Sequence, residues 1–175
     1  MKSRVLFLLL CASLMPAVQA KAKTVLPDAC GDDGIKFDVT TQKNEAVPAG
    51  PAQGKAQIVF VEDEPSRVVN PFGFDTVRFG LDGAWAGANN GNSYFVLEIS
   101  PGEHHLCATP QTKSPELKKS VEVASFTAEP GKIYYFSAKL SMPDRRPKFE
   151  FSKLTEDEGK YRVKAYKVAT WKTNK

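Results

Sequence analysis

The feature that most limits this chain is a run of short alternating segments between Ala56 and Phe151, separated by turn residues. Val77, Phe79 and Leu81 alternate with Arg78 and Gly80, as in a half-buried strand. Asp82-Gly83 follows, a dipeptide suited to a two-residue hairpin. Ala84 to Gly87 reads as a short return strand, and Asn89-Asn90-Gly91-Asn92 as another turn. Phe95, Leu97 and Ile99 then alternate with Tyr94, Val96 and Glu98. Pro101-Gly102 precedes a strand over His104 to Thr109, and Pro130-Gly131 precedes Ile133 to Leu140. Val121 to Phe126 and Phe149-Glu150-Phe151 add two more segments, and Ala56 to Val61 is nearly all apolar, as a strand covered on both faces would be. Such a series predicts an all-β chain: an antiparallel β-sandwich of about seven to nine short strands, with a small barrel as the alternative.

The two ends are different. Met1 to Ala20 has the form of a secretory leader. Lys2 and Arg4 supply the charge, Val5 to Leu14 the apolar stretch, and Val18-Gln19-Ala20 the small residues before a cleavage point. The apolar stretch is short for a membrane span, so none is expected after cleavage. Cys11 invites a lipoprotein reading, but Leu10 stands where a small residue is needed. Residues 21–54 read as a leading segment and linker. They hold one alternating run, Ile35 to Val39, and then Pro48, Gly50, Pro51 and Gly54. The sandwich domain is placed over residues 55–175. Near its end Thr155 and Glu158 have capping-box spacing, while Gly159 and the alternation of Tyr161 to Ala165 favour a strand. A short C-terminal helix and a strand both stay open there.

Composition excludes several classes. With 42% hydrophobic and 25% charged residues and no repeat, the chain is not disordered, collagenous, a coiled coil or a multi-span membrane protein. The leader takes two of the 24 basic residues and none of the 20 acidic ones, leaving a near balance of 22 against 20. That argues little for nucleic acid, and no nucleic-acid partner is expected.

Past the leader two cysteines remain, Cys30 and Cys107. In an exported chain they predict one disulfide, worth about 3–5 kcal/mol in the chain-entropy model; two free buried thiols are the alternative.

The order Leu81-Asp82-Gly83-Ala84-Trp85-Ala86-Gly87, Asn92-Ser93-Tyr94-Phe95, Pro101-Gly102-Glu103-His104 and Gly131-Lys132-Ile133-Tyr134-Tyr135 resembles a family of small secreted bacterial domains. That family is the domain of unknown function numbered twenty-eight forty-six. Asp157-Glu158-Gly159-Lys160 resembles the acidic segment near its end, so the likeness runs over about Lys55 to Lys164; the Cys30 segment lies outside it. The resemblance implies a β-sandwich in the cell envelope or outside the cell, and it carries no reaction.

Candidate sites are few. Trp85, Asn89, Asn90, Asn92 and Tyr94 fall within one predicted hairpin, where an aromatic face beside amide groups would suit a sugar ring; the plain alternative gives the tryptophan to the core edge and the asparagines to turns. His104 and His105, the two histidines, point to opposite faces of a strand and so do not chelate one ion. One is expected near the core and the other in solvent. Glu98 and Glu103 flank a turn, but a glycosidase pair needs a cleft that hairpin loops do not build. Lys139, Arg145, Arg146, Lys148 and Lys153 form a basic patch, expected to be solvated. No nucleophile elbow or cofactor motif is present, so neither catalysis nor a cofactor or metal is expected. The expected role is a non-catalytic, exported module, periplasmic or extracellular, that binds a cell-wall glycan or an envelope protein. A small-molecule, lipid-like carrier is the second expectation and an enzyme the third.

Overall fold

The structure, a computed structural model, describes residues 26–43, 48–63, 76–112, 114–141 and 146–174. The expected leader, Cys11 and Arg145 lie outside the described residues.

Ten strands are described: β1 Lys36–Gln42, β2 Ala56–Asp63, β3 Thr76–Leu81, β4 Ala84–Asn89, β5 Ser93–Ile99, β6 Gly102–Gln111, β7 Glu122–Ala128, β8 Ile133–Ser141, β9 Lys148–Lys153 and β10 Lys167–Asn174. They form two packed sheets. The larger has the order β1-β10-β5-β2-β8-β9 and the smaller β4-β3-β6-β7. The fold is an all-β sandwich, and no strand pairing joins the two sheets among the described residues, so the barrel alternative falls away. The smaller sheet is antiparallel throughout. The larger is mixed rather than antiparallel, because β2 runs parallel to β8 and β10 parallel to β5. Alternation fixes which side chains face the core but not the direction or identity of the neighbouring strand.

The core lies between the sheets. Ile58, Phe60, Phe95, Phe136 and Phe149 from the larger sheet meet Val77, Phe79, Leu106 and Ala108 from the smaller. Phe60 lies 4.9 Å from Phe79 and 5.2 Å from Phe95 between ring centres, within the range where aromatic pairs attract. The outer face of the larger sheet is covered as well. Val59, Val61, Tyr94 and Tyr135 pack there against Val163 of a helix, α1, Glu156–Ala165. Covering on both faces accounts for the unbroken apolar run in β2.

At the C-terminal end helix and strand both occur. Thr155 accepts from the Glu158 backbone N–H through its hydroxyl, and the Glu158 carboxylate accepts from the Thr155 N–H, which closes the capping box. Gly159 faces the Tyr135 ring, where a Cβ would sit 2.1 Å from a ring carbon, so close packing fixes a glycine that helix propensity disfavours. The chain then returns as β10, which pairs with β1 from Val168 to Asn174. The leading segment therefore supplies a strand to the sandwich, which begins before Lys55.

Residues ahead of β1 cross the outside of the smaller sheet. The Cys30–Cys107 disulfide joins them to β6. Arg78, 3% exposed, donates to the carbonyls of Asp33 and Ile35 and to the Asp33 carboxylate. A Cβ on Gly80 would lie 2.7 Å from the Ala29 carbonyl, so the segment rests directly on β3.

Candidate binding cleft between β5 and β10

The predicted hairpin residues do not share a face. Trp85 is on β4 in the smaller sheet and Tyr94 on β5 in the larger. Trp85 holds the leading segment: its Nε1 donates to the Asp32 carbonyl at 2.8 Å, the Arg78 guanidinium lies 4.5 Å over its ring, and Gly31 packs against it. Burial lowers the Arg78 pKa despite Asp33, yet a guanidinium stays charged. Asn89 is fully buried and donates to the Phe60 carbonyl at 2.9 Å. The Asn90 backbone N–H donates to Ser93 Oγ at 3.1 Å, and exposed Asn92 takes a positive φ of 36° in the turn. Tyr94 is buried on the outer face under α1, and burial raises its pKa.

The other candidates are also placed. His104 is 9% exposed, with Nδ1 2.7 Å from the Asp82 carboxylate and Nε2 2.8 Å from the Ser100 carbonyl, while His105 is exposed on the opposite face. Glu98 accepts from the Ala52 N–H, and Glu103 lies 3.8 Å from His105, so the two carboxylates have separate partners. Lys148 pairs with Glu150 at 2.7 Å, Lys153 lies 4.9 Å over the Tyr134 ring, and Lys139 and Arg146 are exposed. Among the described residues no group of three or more His, Cys, Asp or Glu is placed to hold a metal, and no helix is long and apolar enough to cross a membrane.

Trp171, a residue that the sequence reading did not single out, lines one cleft together with Tyr94, although Tyr94 packs on the outer face of the larger sheet and Trp171 against the core. β10 and β5 pair at two positions only, Lys167 with Ser93 and Val168 with Tyr94. Beyond them a cleft of about 470 Å³ is lined by Pro48, Tyr94, Phe95, Val96, Val168, Ala169, Thr170 and Trp171. The lining is mainly apolar. Trp171 sits against Phe95 at 4.8 Å and Phe37 at 6.4 Å, and its ring fills the space that a side chain at Gly87 would need. A second depression of about 370 Å³, lined by Asp32, Phe37, Trp85 and Thr173, lies on its other side. A sequence signal for Trp171 exists: it is the second of two tryptophans, and three residues before it stands Val168 in a run otherwise polar or small.

A third depression, of about 500 Å³, is polar. In it Asp63 accepts from Arg162 Nε at 2.6 Å, from Ser137 Oγ at 2.8 Å and from the Tyr166 hydroxyl. Burial, and then the Asp63 hydrogen bond, push the Tyr166 pKa well above the usual tyrosine value, and the Asp63 hydrogen bond raises that of Arg162. Lys139, Lys148 and Arg162 balance Asp63, Glu122 and Glu150 around it. The arrangement fastens α1 to the sheet.

No protein-family model matches the chain, and no curated protein matches it. The resemblance drawn from the turn and strand motifs rests on those motifs.

Proposed function

We propose that the chain is an exported, non-catalytic binding module of the cell envelope or the extracellular space, and that the cleft between β5 and β10 receives an extended, apolar segment of an envelope protein. The observation that carries this reading is the parting of β5 from β10 after two paired positions. Two strands that diverge present facing edges, and an edge is a template for a further strand. The mainly apolar lining suits alternate side chains of a peptide better than a glycan, which needs several hydrogen-bonding side chains. The Cys30–Cys107 disulfide supports an oxidising compartment, as the leader does.

A photo-crosslinking side chain at Val96, with irradiation in envelope extract, tests the reading. Crosslinks to an apolar segment of one envelope protein, lost in a folded Trp171→Ala variant, are expected. Crosslinks unaffected by Trp171→Ala, or recovery of a glycan or a lipid alone, would refute it; lipid alone would favour the carrier.

A further inference from the structure

We propose that His104 is held as an imidazolium, and that its charge latches together two turns at one end of the sandwich. Nδ1 lies 2.7 Å from Asp82 Oδ2 and Nε2 lies 2.8 Å from the Ser100 carbonyl oxygen. A carbonyl oxygen only accepts, and an ionised carboxylate only accepts. Both ring nitrogens must therefore donate, and an imidazole with two N–H groups is the cation. A neutral ring would turn one lone pair towards an oxygen lone pair at hydrogen-bond distance.

The two acceptors belong to different turns. Asp82 begins the β3–β4 turn, with φ of 50° at Asp82 and 87° at Gly83. Ser100 precedes Pro101-Gly102, the link from β5 to β6. The Asp82 carboxylate also accepts from the His105 N–H at 2.8 Å, and the Asp82 N–H donates to the His105 carbonyl at 2.9 Å. Those bonds keep the first turn on β6 whatever the ring charge. Among the described residues, the ring is what spans from that turn to Ser100.

The surroundings contain one counter-charge. Asp82 faces the ring from the β3–β4 turn. On β6 itself His105 and Glu103 flank it, 3.8 Å from each other. From β7 the uncharged Phe126 ring packs 5.7 Å away, and behind it Tyr134 of β8, whose hydroxyl accepts from the Glu129 N–H. Burial acts to lower the pKa of His104, but the hydrogen bonds to Ser100 and Asp82 outweigh it, and the pKa lies above the ordinary 6.5. When the ring loses its proton, Nδ1–H stays with the carboxylate, the stronger acceptor, and Nε2 releases Ser100. The Pro101-Gly102 turn then loosens while the β3–β4 turn remains fixed. The latch is closed while His104 is charged and Asp82 ionised, and it opens as pH rises through the His104 titration.

Nitrogen NMR of the two imidazoles in the whole exported chain, with amide exchange, tests this between about pH 5 and pH 8 and just above. Both nitrogens of His104 should carry protons near pH 6.5, and its titration should fall above the ordinary 6.5. Exchange protection at Gly102 and Glu103, corrected for the intrinsic pH dependence, should fall along the same curve, with little change at Gly83. Asp82→Asn should move the titration down by about one unit or more, about tenfold in proton affinity. A single neutral tautomer near pH 6.5 would overturn the proposal. So would a His104 titration at or below 6.5, or turn protection that does not follow it.

Discussion

The side-chain amide of Gln111 takes both backbone hydrogen bonds of Phe37. Its Oε1 accepts from the Phe37 N–H at 2.9 Å and its Nε2 donates to the Phe37 carbonyl at 3.0 Å. Gln111 ends β6 in the smaller sheet and Phe37 is the second residue of β1 in the larger, so a single amide acts as a strand partner across the sandwich. It also covers part of an edge that would otherwise be open for pairing. Gln111→Ala should lower stability by about 2 kcal/mol, since two backbone groups at a 2% exposed residue lose their partners. Gln111→Glu should not recover the loss, because a carboxylate accepts from the N–H but repels the carbonyl. Denaturant midpoints of both variants check this, and full recovery by Gln111→Glu would count against the two-way bond.

The disulfide closes a separation of 77 residues between the leading segment and β6. Its removal in a Cys30→Ser, Cys107→Ser double variant should cost about 4 kcal/mol. The leading segment should become the first part of the chain cut by a protease, because Trp85 and Arg78 then hold it with noncovalent contacts alone. Unfolded protein, mass-analysed before and after reduction, should gain two alkylated thiols on reduction only.

Gly159 lies against Tyr135, which is 6% exposed and enclosed by Val59, Val61 and Val163. In a free helix glycine-to-alanine is worth about 1 kcal/mol of stabilisation. Here the added methyl meets the ring, and the change should destabilise by about 1–3 kcal/mol. Tyr135→Leu on that background should return part of the loss. A more stable Gly159→Ala single variant would show that the helix is free to shift.

Asp82 and His104 set opposite pH limits. Burial acts to raise the Asp82 pKa, yet the His105 N–H and the His104 ring bring it below 3.8. Its contribution is present above 3.8 and is lost as pH falls through the lower folded value. The His104 pKa is raised, so its contribution is full below 6.5 and is lost as pH rises through the higher folded value. For this pair, stability should therefore be greatest between about pH 4 and about pH 6.5. Asp82→Asn should flatten both limbs of a plot of denaturation midpoint against pH; an unchanged plot would mean that other groups control both.

Much of the sandwich was legible because each strand carries its own burial pattern. Phe95 and Ile99 face the core between the sheets, while Tyr94, one position away, faces α1, as the alternation required. The pairing of Cys30 with Cys107 was legible too, from the even cysteine count past the expected leader. The bulk of the candidate cleft was not. Trp85 and Tyr94 are nine positions apart in a predicted hairpin, but the chain changes sheets between β4 and β5, and that change has no local residue pattern. Trp171 lies far along the chain from both, on a strand whose polar, exposed sequence reads weakly by itself.

What the sequence by itself determined is local: which positions alternate, where Asp82-Gly83 and Pro101-Gly102 turn, how Thr155 and Glu158 start a helix. These follow from backbone geometry and near neighbours, which a short stretch of sequence contains. The tertiary structure alone decided that β10 returns between β1 and β5, that it parts from β5 after Val168, and that Gln111 meets Phe37. Those outcomes depend on contacts between residues far apart in the chain, whose free energy is a property of the whole packed arrangement and is not written at any single position.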